Sequence, residues 1–235
     1  LKPIYAGVMS VGQSVLDVPT GAGSLRWRVD ALTSQQFILG TYEPYMQRAF
    51  TEYVRKGDVV YDVGAHAGYH TLFCSLLVGS TGRVCAFEPN PKNLASIEGQ
   101  LSVNRANQIS VFPYALGNRC GLAKLDTSHG ASQGQLSDVG SVEVQVRTID
   151  SLIASDRCPV PHLIKIDVEG HEAEVLAGAM NTLRVHKPIV LCDYNDDGTY
   201  KLVADMLGPL SYVVRNGPPV LALPLERIEL STTHE

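Results

Sequence analysis

The stretch from Gly57 to Phe73, GDVVYDVGAHAGYHTLF, limits what this chain can fold into more than any other. Val59 to Val63 is a short apolar run set between Gly57 and Gly64, the pattern of a strand buried on both faces. Gly64 and Gly68 bracket a tight turn, and Tyr69 to Leu77 has the apolar density of a helix packed back on a sheet. A strand, a glycine turn and a helix in that order direct backbone N–H groups and the positive helix end to the strand's carboxyl edge. A carboxylate or phosphate is stabilised there. Asp62, at the end of the strand, adds an acceptor beside those donors, which suits a ligand with both an anionic and a cationic group.

Val84-Cys85-Ala86-Phe87 reads as a second buried strand and ends in Glu88-Pro89-Asn90. An acid at the end of a second strand, 20 positions after Gly68, is where a nucleoside's ribose hydroxyls would be held. The dinucleotide pattern G-x-G-x-x-G is absent; Asp62, Gly64 and Gly68 give D-x-G-x-x-x-G. D-V-G-A-x-x-G followed by F-E-P-N-P resembles the S-adenosylmethionine site of class I methyltransferases, and especially of the FkbM-type family. The resemblance implies an α/β fold: a Rossmann-like, seven-stranded, mostly parallel sheet flanked by helices. It also implies cofactor contacts from Asp62, Gly64, Ala65, His66, Gly68 and Thr71, and from Glu88, Pro89 and Asn90.

The bulk numbers agree with one large α/β domain. The chain has 235 residues, 45% of them hydrophobic and 18% charged, the balance of a globular protein with a substantial core. A net charge of −5 argues against a nucleic-acid or anionic-membrane partner. No apolar run approaches the ~20 residues that span a bilayer. Leu1 to Tyr5 lack the basic start and apolar core of a secretory leader. Five cysteines without a C-x-x-C pair read as reduced and mostly buried, so the expectation is a cytoplasmic protein.

Residues 1–40 are read as an N-terminal cap or hairpin and 41–235 as the main domain. Leu25 to Val29 alternates apolar and basic residues and pairs with Ser14 to Val18 across the turn from Pro19 to Gly23. Tyr42-Glu43-Pro44 precedes a helix whose apolar side carries Met46, Ala49 and Phe50. The Y-E-P also resembles the FkbM pattern, in which this segment closes over the cofactor; the plainer reading is that Glu43 favours the helix dipole. A helix starts at Pro91, and Ile109 to Phe112 is a third strand. By the resemblance, Ala115 and Leu116 just beyond it line the adenine; the plainer reading is a strand-to-loop corner. Val142, Val144 and Val146 mark a half-exposed strand, and 127–134 before it reads as a polar mobile loop or an ordinary connection.

The second stretch that carries chemistry is KIDVEGHEAEVLAG, Lys165 to Gly178. A buried strand excludes Lys165, Asp167 and Glu169 unless they are paired, since each desolvated charge is costly. Strand alternation places all three on one side, near a carboxyl edge where open α/β sheets bind ligands. Glu169, Glu172 and Glu174 are also explained as helix caps. One continuous helix through Val175, Leu176, Ala179, Met180 and Leu183 is expected to follow. K-I-D-V-E-G-x-E with V-L-x-G is the second likeness to the FkbM family. PIVLCDY, Pro188 to Tyr194, is a fifth strand, and later strands suggest an antiparallel edge.

Transfer of a methyl group to an alcohol calls for positioning and for a base or a metal-bound alkoxide. Asp167 is the first candidate as base or metal ligand, with Lys165 keeping it ionised and Glu169, His171 and Asp193 as helpers. An oxygen-rich set such as Asp167 and Asp193 suits Mg²⁺ better than Zn²⁺. His66 and His70 give H-x-x-x-H, but Gly68 interrupts the helix that a zinc pair needs. The expected acceptor is a hydroxyl of a small molecule, a sugar or a secondary metabolite; oxygen over nitrogen follows from the resemblance. The competing readings are a nucleotide-dependent oxidoreductase and a catalytically silent cofactor-binding module.

Overall fold

The computed structural model describes residues 14–126, 135–136, 140–193 and 197–232. β1 (Val15–Thr20) and β2 (Gly23–Arg28) form the antiparallel hairpin expected from their alternation. The hairpin packs on the central layers through Trp27, which is fully buried against Phe37 and Tyr69 with ring centroids 4.9 and 5.9 Å away. Its open edge is closed by side chains of the helix Pro91–Asn104. The Gln100 amide accepts from Arg28 N and donates to Arg28 O, both at 2.8 Å. One turn on, Asn104 does the same for Arg26 at 2.9 and 2.6 Å. An i, i+4 pair of amides thus replaces a third strand and satisfies backbone groups that a bare edge leaves open.

The centre is a seven-stranded sheet. β3 (Val59–Val63), β4 (Arg83–Phe87) and β5 (Ile109–Phe112) run outward in one direction. β6 (Tyr114–Leu116), β7 (Gly121–Asp126), β8 (Gln135–Leu136) and β9 (Val142–Arg147) leave it to form a separate four-stranded sheet. β10 (Leu163–Ile166) then pairs with the other side of β3, followed by β11 (Ile189–Cys192). β12 (Tyr212–Arg215) and β13 (Val220–Pro224) finish the sheet, in the order β12-β13-β11-β10-β3-β4-β5. β13 is antiparallel to both its neighbours, which is the expected antiparallel edge. The strand order reverses between β3 and β10, so their carboxyl ends open a crevice. Apolar clusters fill both faces, one with Tyr61, Phe87, Ile164 and Val190, the other with Phe50, Val60, Phe73 and Leu191.

Two local expectations are corrected. The strand carrying Lys165 ends at Ile166, and Glu169 takes a left-handed conformation at φ 53°, so simple alternation does not extend to Glu169. The helix expected after it is two pieces, Glu172–Ala177 and Met180–Val185. The break lies at Gly178, where a Cβ would come within 1.9 Å of the Gly117 carbonyl oxygen. The loop 127–134, with His129, lies outside the described residues, as do residues 1–13 and 194–196. The helix Asp197–Leu207 follows β11. No helix among the described residues is long and apolar enough to cross a membrane.

Candidate active site

The crevice between β3 and β10 holds a cavity of about 270 Å³. Its floor is fixed by backbone approach. Gly64 sits at φ 80°, and a Cβ there would lie 1.9 Å from the carbonyl oxygen of Asp167. Only a glycine lets the turn after β3 pass so close to the chain leaving β10.

Beneath that floor lies a buried charge cluster. Lys165 and Asp62 are register partners across β10 and β3. Lys165 Nζ donates to Gly64 O at 2.9 Å and lies 3.1 Å from Asp62 Oδ1 and 3.2 Å from Asp167 Oδ2. The contact to Asp62 Oδ1 is electrostatic, without the alignment of a hydrogen bond. Burial alone would lower the Lys165 pKa; Asp62 first and Asp167 next outweigh it and hold the ammonium charged. The Thr71 hydroxyl donates to the other oxygen of Asp62 at 2.5 Å. Asp62 and Thr71 are fully buried and line neither the cavity nor the small cleft beside it. The cation that Asp62 faces is the cross-strand lysine.

Glu88 does face the cavity. Its carboxylate accepts from Asn90 N and His66 N, each at 2.8 Å. Burial nevertheless pushes its pKa up to about 7. Pro89 and Asn90 line the same wall, and Asn90 also caps the helix Pro91–Asn104 by accepting from Lys92 N. Ala115 and Leu116 line it from β6. His66 lines both the cavity and the small cleft, with buried Nε2 lacking a partner among the described residues. Ala65 touches only the cleft, and Gly68 touches neither, serving instead as the left-handed start of the helix Tyr69–Val78.

Glu43 is the N-cap residue of its helix, but its side chain makes no capping bond. It stands at φ 41° before Pro44, lines the cavity, and its Oε2 accepts from His70 Nε2 at 2.8 Å. Burial opposes its charge, but the His70 contact prevails and holds its pKa down to about 2. The remaining wall carries Asp167, Glu169, His171 and Asp193. Burial raises the Glu169 and Asp193 carboxyls, with Asp167 adding to both. Asp193 accepts from the Tyr45 hydroxyl at 3.0 Å.

The cavity is thus lined by Glu43, Glu88, Asp167, Glu169 and Asp193, with no Lys or Arg among its described lining residues. The described residues hold no group of three His, Cys, Asp or Glu placed for a metal. Lys165 occupies the position beside Asp167 that a cation would take, and Asp193 is engaged by Tyr45. The expectation of Mg²⁺ at Asp167 and Asp193 is therefore not supported. The cysteines are unbridged and buried except Cys120, which is exposed.

Several lining residues were not named as site residues from the sequence. Tyr42 and Tyr114 adjoin residues that were so named, and Asn93 lies one turn beyond Asn90, so adjacency could have found them. Leu125 comes from the inserted sheet, and no local signal marks it.

Comparison with known proteins agrees with this architecture. The family model described as the methyltransferase FkbM domain matches residues 62–211, more than half of the chain. A hexuronic acid methyltransferase, AglP of Haloferax volcanii, is 31% identical over 160 residues, covering 67% of this chain and 62% of its own length. The chain thus spans less than two thirds of that relative. A methyltransferase FkbM structure from Methylobacillus flagellatus superposes with a TM-score of 0.52 at 20% identity, over 82% of this chain and 56% of that one. A precorrin-6y C5,15-methyltransferase from Geobacter metallireducens gives 0.50 at 15% identity, over 83% and 89%. At those identities the two structures speak for the fold alone.

Proposed function

Because the chain belongs to the FkbM family of methyltransferases, we propose that it methylates a hydroxyl of a small molecule, of the sugar class, using S-adenosylmethionine. The observation that carries the cofactor reading is the cavity's charge. Five carboxylates line it, with no Lys or Arg among the described lining residues. S-adenosylmethionine bears a sulfonium and an ammonium against one carboxylate, a net positive ligand that such a wall attracts. A dinucleotide's pyrophosphate would meet that wall with like charge, so the oxidoreductase alternative loses its ground. The hexuronic acid named for the relative supports a sugar acceptor here.

Within this reading, Glu88 accepts the ribose hydroxyls, with Pro89 and Asn90 beside it. Ala115 and Leu116 pack on the adenine. Glu43, kept ionised by His70, is suited to the ammonium. Asp62 and Thr71 act from below by fixing Lys165 and the glycine turn. The cofactor supplies an electrophilic methyl on a sulfonium that leaves as a neutral thioether.

Asp167, oriented by Lys165, holds the acceptor hydroxyl. Glu169, with its raised carboxyl pKa, and His171 stand beside it to take the proton as the oxygen gains the methyl. Positioning supplies much of the acceleration. Residues 1–40 serve as the cap and 41–235 as the methyltransferase domain.

Calorimetry with S-adenosylmethionine and NAD tests the cofactor: heat with the first and none with the second is expected, and the reverse overturns the assignment. Methyl transfer in Asp167→Asn tests the role of that carboxylate. A fall of about 10²-fold or more in kcat is expected, and wild-type turnover would remove Asp167 from it.

A further inference from the structure

A second space adjoins the cavity. A groove of about 700 Å³ runs along the inserted sheet, lined by Arg119, Leu122, Lys124 and Glu174 among others. Among the described residues, His171 alone lines both the cavity and the groove. Its Nδ1 is buried with no hydrogen-bond partner among them. A buried acceptor or donor left unmade is costly, so the imidazole at this junction is not locked in place by a bond at Nδ1.

The two spaces differ in charge. The described lining of the cavity has five carboxylates and no Lys or Arg, whereas the groove presents Arg119 and Lys124 against Glu174. We propose that this groove is the acceptor site, and that it takes a sugar carrying a carboxylate, bound by Arg119 and Lys124, while a hydroxyl of the same molecule reaches past His171 into the cavity.

The proposal rests on the methyltransferase reading and adds the acceptor's charge and its seat. An anionic group directed the other way would face Asp167, Glu169 and Asp193, so the polarity fixes the acceptor's orientation. Arg119 offers a planar fork that fits a carboxylate through two parallel hydrogen bonds. Leu122, 65% exposed, offers an apolar surface for the C–H face of the ring. Lys124 lies opposite Glu143 in the β7–β9 register, which offsets part of its charge. Arg119 is therefore the stronger determinant.

Binding of methyl glucuronide and methyl glucoside to the protein loaded with S-adenosylhomocysteine, measured by calorimetry at low and high salt, tests this. The uronide is expected to bind about tenfold more tightly or better, with the advantage shrinking at high salt. R119A/K124A should abolish the advantage at unchanged melting temperature and S-adenosylhomocysteine affinity; Arg119→Gln, which keeps the side chain's bulk, should lose most of it. Equal binding of the two sugars, no uronide binding at millimolar concentration, or an advantage that survives both variants overturns the proposal. A protein that binds S-adenosylhomocysteine without preferring the uronide leaves the methyltransferase reading standing. One that does not bind S-adenosylhomocysteine removes that reading and the groove's role with it.

Discussion

Lys165 ties three points together at the reversal of strand order: the Gly64 carbonyl, Asp62 and Asp167. With the ammonium gone, Asp62 keeps a buried charge whose remaining side-chain partner is Thr71. Breaking such a pair costs roughly 3–5 kcal/mol. Lys165→Met should therefore lower the melting temperature by about 10 °C or more, and adding Asp62→Asn should restore part of the loss. Calorimetric melts of the single and double variants decide it; a drop of about 2 °C or less would show that the cluster is not needed for stability.

Glu88 gives a pH-dependent prediction. Its folded pKa, about 7, lies above the ordinary value of 4.5. The folded chain holds that proton more tightly than the unfolded one, so stability falls as pH rises between these two values. Hydroxyls donating to the carboxylate favour its ionised form, so S-adenosylmethionine should bind more tightly at pH 8 than at pH 6, and Glu88→Gln should flatten the profile. A profile unchanged in that variant would remove Glu88 from the ligand's environment. Glu88 was legible in the sequence because an acid at a strand's carboxyl end has few other uses. The true partner of Asp62 was not, because only the register of β10 against β3 places Lys165 beside it.

Among the elements, the hairpin's attachment was the least visible. Alternation from 14 to 29 specified two strands but not what closes their edge. Gln100 and Asn104 do so, and nothing in a helix sequence marks an amide as the partner of a distant backbone. Gln100 is fully buried, and Gln100→Ala leaves Arg28 N and O without those bonds. A loss of about 1–3 kcal/mol is expected, with faster amide exchange across residues 23–28 than in β3. Unchanged exchange there would mean that the edge is held by apolar packing alone. The inserted sheet follows the same logic: Val142 to Val146 announced a half-exposed strand, whereas its pairing with β6 and β7 depends on contacts far apart in sequence.

For the whole molecule, the question is whether the hairpin unfolds with the central sheet. The chain has a single tryptophan, Trp27, and it is buried where the hairpin meets Tyr69 and Phe37. Its fluorescence reports the hairpin's docking, and far-UV dichroism reports the sheet. The two transitions should coincide in urea, since a shared core gives one cooperative unit; separate midpoints would make the hairpin an independent element. At this scale the sequence by itself determined the alternation of strands and helices, the glycine turn and the acid at the second strand's end. Each is a local matter of periodicity, backbone freedom and strand termini. Only the tertiary structure decided that Asp62 would face Lys165, that five carboxylates would share one cavity, and that His171 would stand between two spaces of unlike charge. Those outcomes depend on strand register and on which distant segments meet, and a chain read residue by residue carries no record of either.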